Sequence, residues 1–225
     1  VLRIDPPTWE EPGVVPDMTV GKRTARLDAR DPADLATLRG LISRADVIVH
    51  GYRSDALDQL GLGEAVRAEL RPGIVDVALD AYGWTGPWRT RRGFDSLVQM
   101  STGIAGWGLR SGTAERPTPL PVQALDHATG YLMAAAALTG LLHRVSSGAG
   151  TSARLSLART AAELQRLSHL RALPVVTGPA PAPAPEPFDT PWGPARLLPG
   201  PFTLGATELR WTRPPRPLGS DAPVW

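Results

Sequence analysis

One acidic residue stands where it could carry out covalent chemistry: Asp126, at the start of the longest apolar segment of the chain. A carboxylate is an effective nucleophile when water is excluded and oxyanion donors, such as the N–H groups of glycine-rich loops, lie nearby. The same position also suits a helix N-cap, which is a purely structural role. The local sequence fits both roles and does not choose between them.

Other common kinds of reactive site are absent from the sequence. The chain has no Cys, which excludes disulfides, thiolate metal sites and a cysteine nucleophile. Its four His show no ligand spacing, so we expect them to be structural and predict no metal site. No Ser lies in a G-x-S-x-G elbow. Gly61-Leu62-Gly63 fails as a dinucleotide fingerprint, because position 66 is Val and the glycines follow a helical pattern.

Asp126 lies in a chain of alternating predicted strands and helices. Strand, helix, strand order at the observed spacing favours parallel pairing with right-handed crossovers. Hydrophobic periodicity and helix start signals define the elements. The predicted strands are 47–49, 74–79 and 153–157. One predicted helix begins at Asp31, and the others cover 55–60, 63–70, 94–104, 125–145 and 158–173. The fold class is therefore α/β, with a Rossmann-like parallel sheet flanked by helices.

Composition and charge narrow the function further. The chain has 225 residues, 42% hydrophobic and 20% charged, which suits a globular domain with a sizeable core. It has no apolar run long enough to span a membrane, and its first residues lack the features of a signal peptide, so we predict a cytoplasmic protein with no membrane partner. The net charge is only +2, so no nucleic acid partner is predicted.

Six motifs in one collinear order resemble the class III (CaiB/BaiF-type) coenzyme A transferases. Together they cover about residues 1–170, and their common order is far more specific than any one of them. The motifs are Gly21-Lys22-Arg23 with Leu27-Asp28, Ala45 to Arg53 continuing to Leu62, Tyr82-Gly83 with Gly86-Pro87, Gly93 to Gln99 with Thr102-Gly103, Asp126 with Gly130 and 134–138, and Gly148 with Gly150 and the strand to Leu157.

This resemblance implies a homodimer with interlocked subunits that transfers CoA between an acyl-CoA and a free carboxylic acid. Asp126 would be the nucleophile, attacking the thioester and then holding CoA as an aspartyl-CoA thioester. Asp95 matches a second acid near the family's active site. CoA is the substrate, and the resemblance places five residues at its binding site: Lys22, Tyr52, Arg53, Gly83 and Arg92.

Two alternative functions stay open within this resemblance. Related racemases and dehydratase-like enzymes share the fold, but the racemases place a His where this chain has Phe94, which cannot transfer a proton. A non-catalytic CoA-binding or subunit protein is the other alternative. Three departures from the family pattern, at Gly51, Ser54-Asp55 and Gln59, predict weaker CoA binding, and counterparts to the family's first strand and helix and its small domain are missing. A shortened member of the family, a fragment of a longer chain and a non-catalytic member all fit these departures.

We expect the chain to be organised in three segments. Residues 1–173 would form the CoA-transferase large domain. Residues 174–187 alternate Pro and Ala in part and would form an extended linker. Residues 188–225 are turn-rich and would form an irregular, Pro-rich tail that packs on the main domain.

Overall fold

The computed structural model describes residues 1–167, 182–184, 186–200 and 203–225. The chain divides into two compact units, Val1–Leu41 with Pro174–Trp225 and Ile42–Leu173. Part of the predicted linker 174–187 and the end of the predicted helix 158–173 lie outside the described residues. The predicted division at residue 173 therefore stays a prediction.

The helices and strands follow the predicted alternation through residue 167. In chain order they are β1 (Leu2–Asp5), α1 (Val15–Thr19), β2 (Arg23–Arg26), α2 (Pro32–Ile42), β3 (Val47–His50), α3 (Ala56–Gln59), α4 (Glu64–Leu70), β4 (Val75–Asp80), α5 (Asp95–Ser101), α6 (Trp107–Arg110), α7 (Ala124–Ser147), β5 (Thr151–Ser156), α8 (Leu157–Leu167), β6 (Phe188–Thr190), β7 (Gly193–Ala195), β8 (Thr203–Leu204) and β9 (Thr207–Glu208). Among the described residues, none of these helices is long and apolar enough to cross a membrane.

The first unit pairs β1 with β2 in parallel, and the end of the chain lines β2. The amide of Thr24 donates to Asp221 Oδ2 at 2.9 Å, and the amide of Asp221 donates to the Thr24 carbonyl at 2.8 Å. The indole Nε1 of Trp225 donates to the Leu41 carbonyl at 2.9 Å. Asp31 accepts from the amides of Ala33 and Asp34, which confirms the predicted start of α2.

The second unit is built on a parallel sheet in the order β3-β4-β5, which confirms the predicted α/β class. Helix α7 covers one face of this sheet, where Val75, Val77 and Met133 are buried. Gly140 permits this close packing, because a Cβ there would collide with Val75 and Thr151. Gly148 ends α7 in the left-handed conformation, with φ of 72°.

The opposite face of the same sheet is polar. Side chains alternate between faces along a strand, so Asp76, Ala78 and Asp80 of β4 share the face away from α7. Asp76 and Asp80 are 4% and 6% exposed, so this face holds ionisable groups in a largely dry environment. A buried carboxylate needs either a partner or a proton. Asp76 has an ion-pair partner, whereas burial raises the pKa of Asp80.

Candidate active site

Asp126 lies in the first turn of α7 but is not its N-cap residue. The helix begins at Ala124, and Gln123 is the N-cap residue. Asp126 is therefore the third helical residue, one turn inside the position that a capping side chain occupies. The N-cap role that the local sequence allowed for Asp126 is wrong. Its side chain is exposed, at the end of α7 that meets the loop from residue 111 to residue 123.

The carboxylate of Asp95 binds the first turn of α7 instead. Asp95 Oδ2 accepts hydrogen bonds from the amides of Leu125 and Asp126, at 2.7 Å and 3.0 Å. Asp95 is the first residue of α5 and is only 2% exposed, so a position on the helix surface is excluded. A buried anion at a helix N-terminus satisfies free N–H groups and interacts favourably with the helix dipole.

Gln99, one turn further along α5, extends this network and is 1% exposed. Its Nε2 donates to Asp95 Oδ1 and, at 3.3 Å, to the Val122 carbonyl. Its Oε1 accepts from the Leu120 amide at 2.8 Å. The polar network is enclosed by an apolar cluster that includes Val98 and Leu125, both fully buried. Helix α5 therefore holds both the segment that leads into α7 and the first turn of α7.

The carboxyl end of β4 continues into a loop that contains Gly83. The amide of Gly83 donates to Asp80 Oδ1 at 2.7 Å, and Gly83 has φ of 98°, which favours glycine. Burial raises the pKa of the Asp80 carboxyl, and the hydrogen bond from Gly83 only partly opposes this. Asp80 Oδ2 is buried and has no hydrogen-bond partner among the residues that the structure describes. Ionised Asp80 is therefore a source of instability at neutral pH.

We expect Asp80→Asn to raise the melting temperature at pH 7. A folded-state pKa above the unfolded value means that the wild type loses stability as pH rises above the ordinary Asp range, whereas Asn does not ionise. The gain should vanish near pH 3, as thermal denaturation from pH 3 to 8 would detect. The matched control is Asp189→Asn at an exposed position. A lower melting temperature for Asp80→Asn at pH 7 would contradict this account.

Aromatic and basic side chains occupy the loop between β4 and α5. The rings of Tyr82 and Trp88 meet edge to face with their centroids 5.1 Å apart. The guanidinium of Arg91 lies 4.5 Å from the centre of the Trp88 ring. Arg92, a predicted CoA-binding residue, follows directly and is exposed, as is Phe94. The cation–π contact of Arg91 stabilises the loop next to the exposed side chains of Arg92 and Phe94.

A cavity of about 270 Å³ opens on the polar face of the sheet. It extends from the carboxyl end of β3 over the face of β4 and β5, where Asp76 and Ser152 line it. The predicted CoA-binding residue Arg53 lines it, and Ser54 Oγ donates to the carbonyl of Arg89 at 2.9 Å. The lining comprises His50, Arg53, Ser54, Asp55, Leu57, Asp58, Glu64, Arg67, Asp76, Ala78, Trp84, Arg89, Ser152 and Arg154.

A buried ion pair forms the floor of this cavity. Arg67 Nη2 lies 2.6 Å from Asp76 Oδ2, and the side chain of each residue is 6% exposed. His50 Nε2 lies 3.3 Å from Asp76 Oδ1, within ion-pair distance but without hydrogen-bond geometry. Burial alone would raise the pKa of Asp76, but His50 and Arg67 outweigh it, so the net pKa is below its ordinary value. Asp76 is therefore held as a carboxylate.

Two other predicted CoA-binding residues, Tyr52 and Lys22, do not line this cavity. Tyr52 is 43% exposed and precedes Arg53 at the end of β3. Lys22 belongs to the first unit, where Nζ donates to the Met18 carbonyl at 2.9 Å. Burial lowers the pKa of Lys22, and the charge of Arg3 lowers it further. Within the described ranges, no group of His and acidic side chains is arranged to hold a metal ion.

Sequence reasoning missed several residues that the structure places around these sites. Arg89 and Arg154 line the cavity, and Gln99 supports Asp95. The alternation of apolar and acidic residues in β4, which puts Asp76 and Asp80 on one face, was the available signal. The partners of these acids lie on other elements, so residue spacing alone could not identify them.

Comparison with known proteins agrees with the fold and the motif order. The chain is 34% identical over 143 residues to an acyl-CoA transferase of Fusarium pseudograminearum, covering 62% of this chain and 30% of that protein. It is 28% identical over 175 residues to the human succinyl-CoA:glutarate CoA-transferase, covering 75% of this chain and 39% of that protein. A hypothetical protein of Mycobacterium tuberculosis matches in three dimensions with a TM-score of 0.67 and 26% identity, covering 84% of this chain and 53% of that one.

The matched part of each relative is limited. The chain aligns with about a third of the length of the two transferases. The family model described as CoA-transferase family III nevertheless matches residues 2–199, which is most of the chain. The chain therefore belongs to CoA-transferase family III.

Proposed function

We propose that this chain takes part in CoA transfer between an acyl-CoA and a free carboxylic acid, with Asp126 as the nucleophile. The observation that carries the proposal is the exposed position of Asp126 in the first turn of α7, together with the separate capping of that turn by Asp95. Asp126 is not the N-cap residue of its own helix, and Asp95 binds the backbone amides of this turn. A reaction at the Asp126 side chain therefore leaves those two hydrogen bonds of α7 in place.

The reaction would proceed in balanced acyl transfers. The Asp126 carboxylate attacks the thioester carbonyl, the C–S bond breaks, and a mixed anhydride and CoA thiolate form. The thiolate attacks the Asp126 carbonyl of the anhydride, giving an aspartyl-CoA thioester and releasing the first acid. The acceptor carboxylate then attacks the carbonyl of this thioester, and the C–S bond breaks to give a second anhydride and CoA thiolate. The thiolate attacks the acceptor's carbonyl in that anhydride, which forms the new acyl-CoA and releases the Asp126 carboxylate. The overall reaction exchanges one thioester and one free acid for another thioester and another free acid, so no oxidant, metal or net hydrolysis is required.

We propose that the phosphate groups of CoA bind at the polar cavity. Arginine is well suited to phosphate because its planar guanidinium donates two parallel hydrogen bonds. Arg53 and Arg89 stand at the exposed rim of the cavity, above the paired Arg67 and Asp76. We assign Arg53 to CoA binding together with Tyr52 and the loop residues Gly83 and Arg92, all of the second unit.

The names of the relatives guide the choice of substrates to test. The human relative is named for transfer from succinyl-CoA to glutarate, and the fungal one is named simply as an acyl-CoA transferase. A panel of short, branched, aromatic and dicarboxylic acyl-CoAs therefore covers the class. Intact mass after incubation with each donor tests the proposal, since a covalent CoA adduct must appear with at least one of them.

We also propose that the outer face of α7 packs against a second copy of the chain. Tyr131, Leu138, Leu142 and Val145 repeat at helical spacing and are 63–87% exposed. A helix that is apolar on both faces needs a partner on both faces, and α7 already packs against the sheet through Met133. Contiguous apolar surface of this kind is typical of homodimer interfaces.

We expect Leu138→Glu to convert a dimer into a monomer. The substitution would bury a carboxylate at the centre of the apolar face, which costs several kcal/mol without a partner. Sedimentation velocity at several protein concentrations measures the change, with Leu109→Glu on α6 as the control for an exposed leucine elsewhere. A wild-type chain that is monomeric at every concentration would contradict the homodimer and leave this face for another part of a longer protein.

A further inference from the structure

We infer that Asp95 is a positioning residue, which fixes the proposed nucleophile in place and takes no part in proton transfer. This inference rests on the proposed role of Asp126. It assigns the second acid of the site a mechanical and electrostatic task, in contrast to the catalytic one that two neighbouring carboxylates suggest. Three features of the described residues carry it.

The first feature is that both carboxylate oxygens of Asp95 accept hydrogen bonds from the protein. Oδ2 accepts two backbone amides, from Leu125 and Asp126, and Oδ1 accepts the side-chain amide of Gln99. A general acid or base must reach the reacting group, directly or through one water. Asp95 is 2% exposed and surrounded by its own donors, so it does not meet this requirement.

The second feature is the rigid link that Asp95 makes between two helices. Asp95 and Gln99 lie one turn apart on α5, and together they bind the backbone at Leu120, Val122 and the first turn of α7. The amide of Asp126 itself is one of the bound groups, at 3.0 Å. A shift of the α7 terminus would therefore break several buried hydrogen bonds at once, each expensive to leave unsatisfied.

The third feature is electrostatic. The free N–H groups of a helix N-terminus attract an anion. Asp95 occupies the amides of Leu125 and Asp126, so these two groups do not serve as oxyanion donors to a bound substrate. Asp95 thus satisfies two of the free amides at the helix terminus, including that of Asp126 itself. Reaction rates depend steeply on such placement, and a misplacement of 1 Å can cost about 100-fold.

The test compares Asp95→Asn with the wild type in three measurements. Asn keeps one acceptor oxygen but presents an N–H₂ group to the buried donors, so the link to α7 weakens. We expect the rate of thioester formation at Asp126, followed by quenched intact mass, to fall about 100-fold. The dissociation constant of CoA, measured by calorimetry, should change less than threefold. Amide hydrogen exchange of the peptide covering residues 120–128 should accelerate.

Two further variants keep the test decisive if Asp95→Asn folds poorly. Gln99→Met removes the support of Asp95 with similar volume, and we expect a smaller loss of rate, about tenfold, with the same pattern. Asp95→Glu keeps the charge and should recover part of the rate lost in Asp95→Asn. Ser96→Ala, at an exposed position on the same helix, is the control and should behave as the wild type.

The outcomes separate this inference from the proposed function. If the wild type forms the adduct and Asp95→Asn forms it equally fast, or loses CoA affinity and rate in proportion, the inference is overturned while the transferase function stands. If the wild type forms no adduct, the proposed function fails, and hydrogen exchange alone decides whether Asp95 fixes α7. Unchanged exchange in Asp95→Asn would overturn the inference in either case.

Discussion

Asp126→Asn is expected to abolish covalent capture of CoA while leaving the fold intact. Asn cannot form the anhydride or the thioester. The rate of adduct formation, followed by intact mass, should therefore fall at least about 1,000-fold, which is typical of the loss of an essential nucleophile. The fold should persist because Asp95 binds the backbone amide at this position, which Asn retains. The melting temperature should therefore stay close to that of the wild type.

Two controls make the adduct interpretable. Glu69→Gln removes an exposed carboxylate on α4 and should leave the adduct unchanged. Hydroxylamine cleaves thioesters and anhydrides, so it should remove the mass increase from the wild type. An adduct that persists in Asp126→Asn would place the nucleophile elsewhere. No adduct on the wild type with any donor in the panel would favour a non-catalytic CoA-binding protein or a chain that needs further segments for catalysis.

The largest loss of stability is expected from Arg67→Met. This variant removes the cation next to Asp76 and leaves a buried carboxylate that, among the described residues, has only His50 within ion-pair distance. Breaking a buried pair in this way costs about 3–5 kcal/mol. Urea denaturation at pH 7 measures the change in the free energy of unfolding. Arg154→Met is the control, because its pair with Glu64 is about half exposed and contributes less than about 1 kcal/mol.

The pH dependence of this pair has the opposite sign to that of Asp80. The folded-state pKa of Asp76 is below its ordinary value, so its contribution is fully present above about pH 4 and is lost as pH falls through the lower, folded-state pKa. The difference in free energy of unfolding between Arg67→Met and the wild type should therefore disappear in acid. The double variant Arg67→Met with Asp76→Leu should recover most of the stability at pH 7. A double variant as unstable as Arg67→Met would contradict the buried-charge explanation.

Local signals were sufficient to predict the parallel sheet and most of its helices. The Asp31-Pro32 start of α2 and the apolar strands β3 and β4 depend on neighbouring residues, so the sequence pattern identifies them. Helix ends were less accurate, because they depend on single turns. The predicted helix 94–104 ends at Ser101, since Gly103 adopts φ of 84° and turns the chain.

The candidate site could be predicted only in part, for a physical reason. The motif order led to Asp126 and Asp95, but the local sequence left Asp126 as a possible cap and Asp95 as a possible surface residue. The true cap of α7 lies 31 residues before Asp126 in the chain. The partners of Asp76 likewise lie on β3 and α4. Such pairings arise from tertiary packing, which spacing along one element does not encode.

The capping of α7 by a residue of α5 has a consequence for how the protein folds. An isolated helix usually begins at a local cap, so its first turn can form early. Here the amides of Leu125 and Asp126 gain their acceptor when α5 docks, because that acceptor is Asp95 and Gln123 makes no side-chain capping bond. We expect the middle of α7, near Met133, to be structured in the folding transition state and its first turn to form late. Mutations at Asp95 should accordingly speed unfolding more than they slow folding.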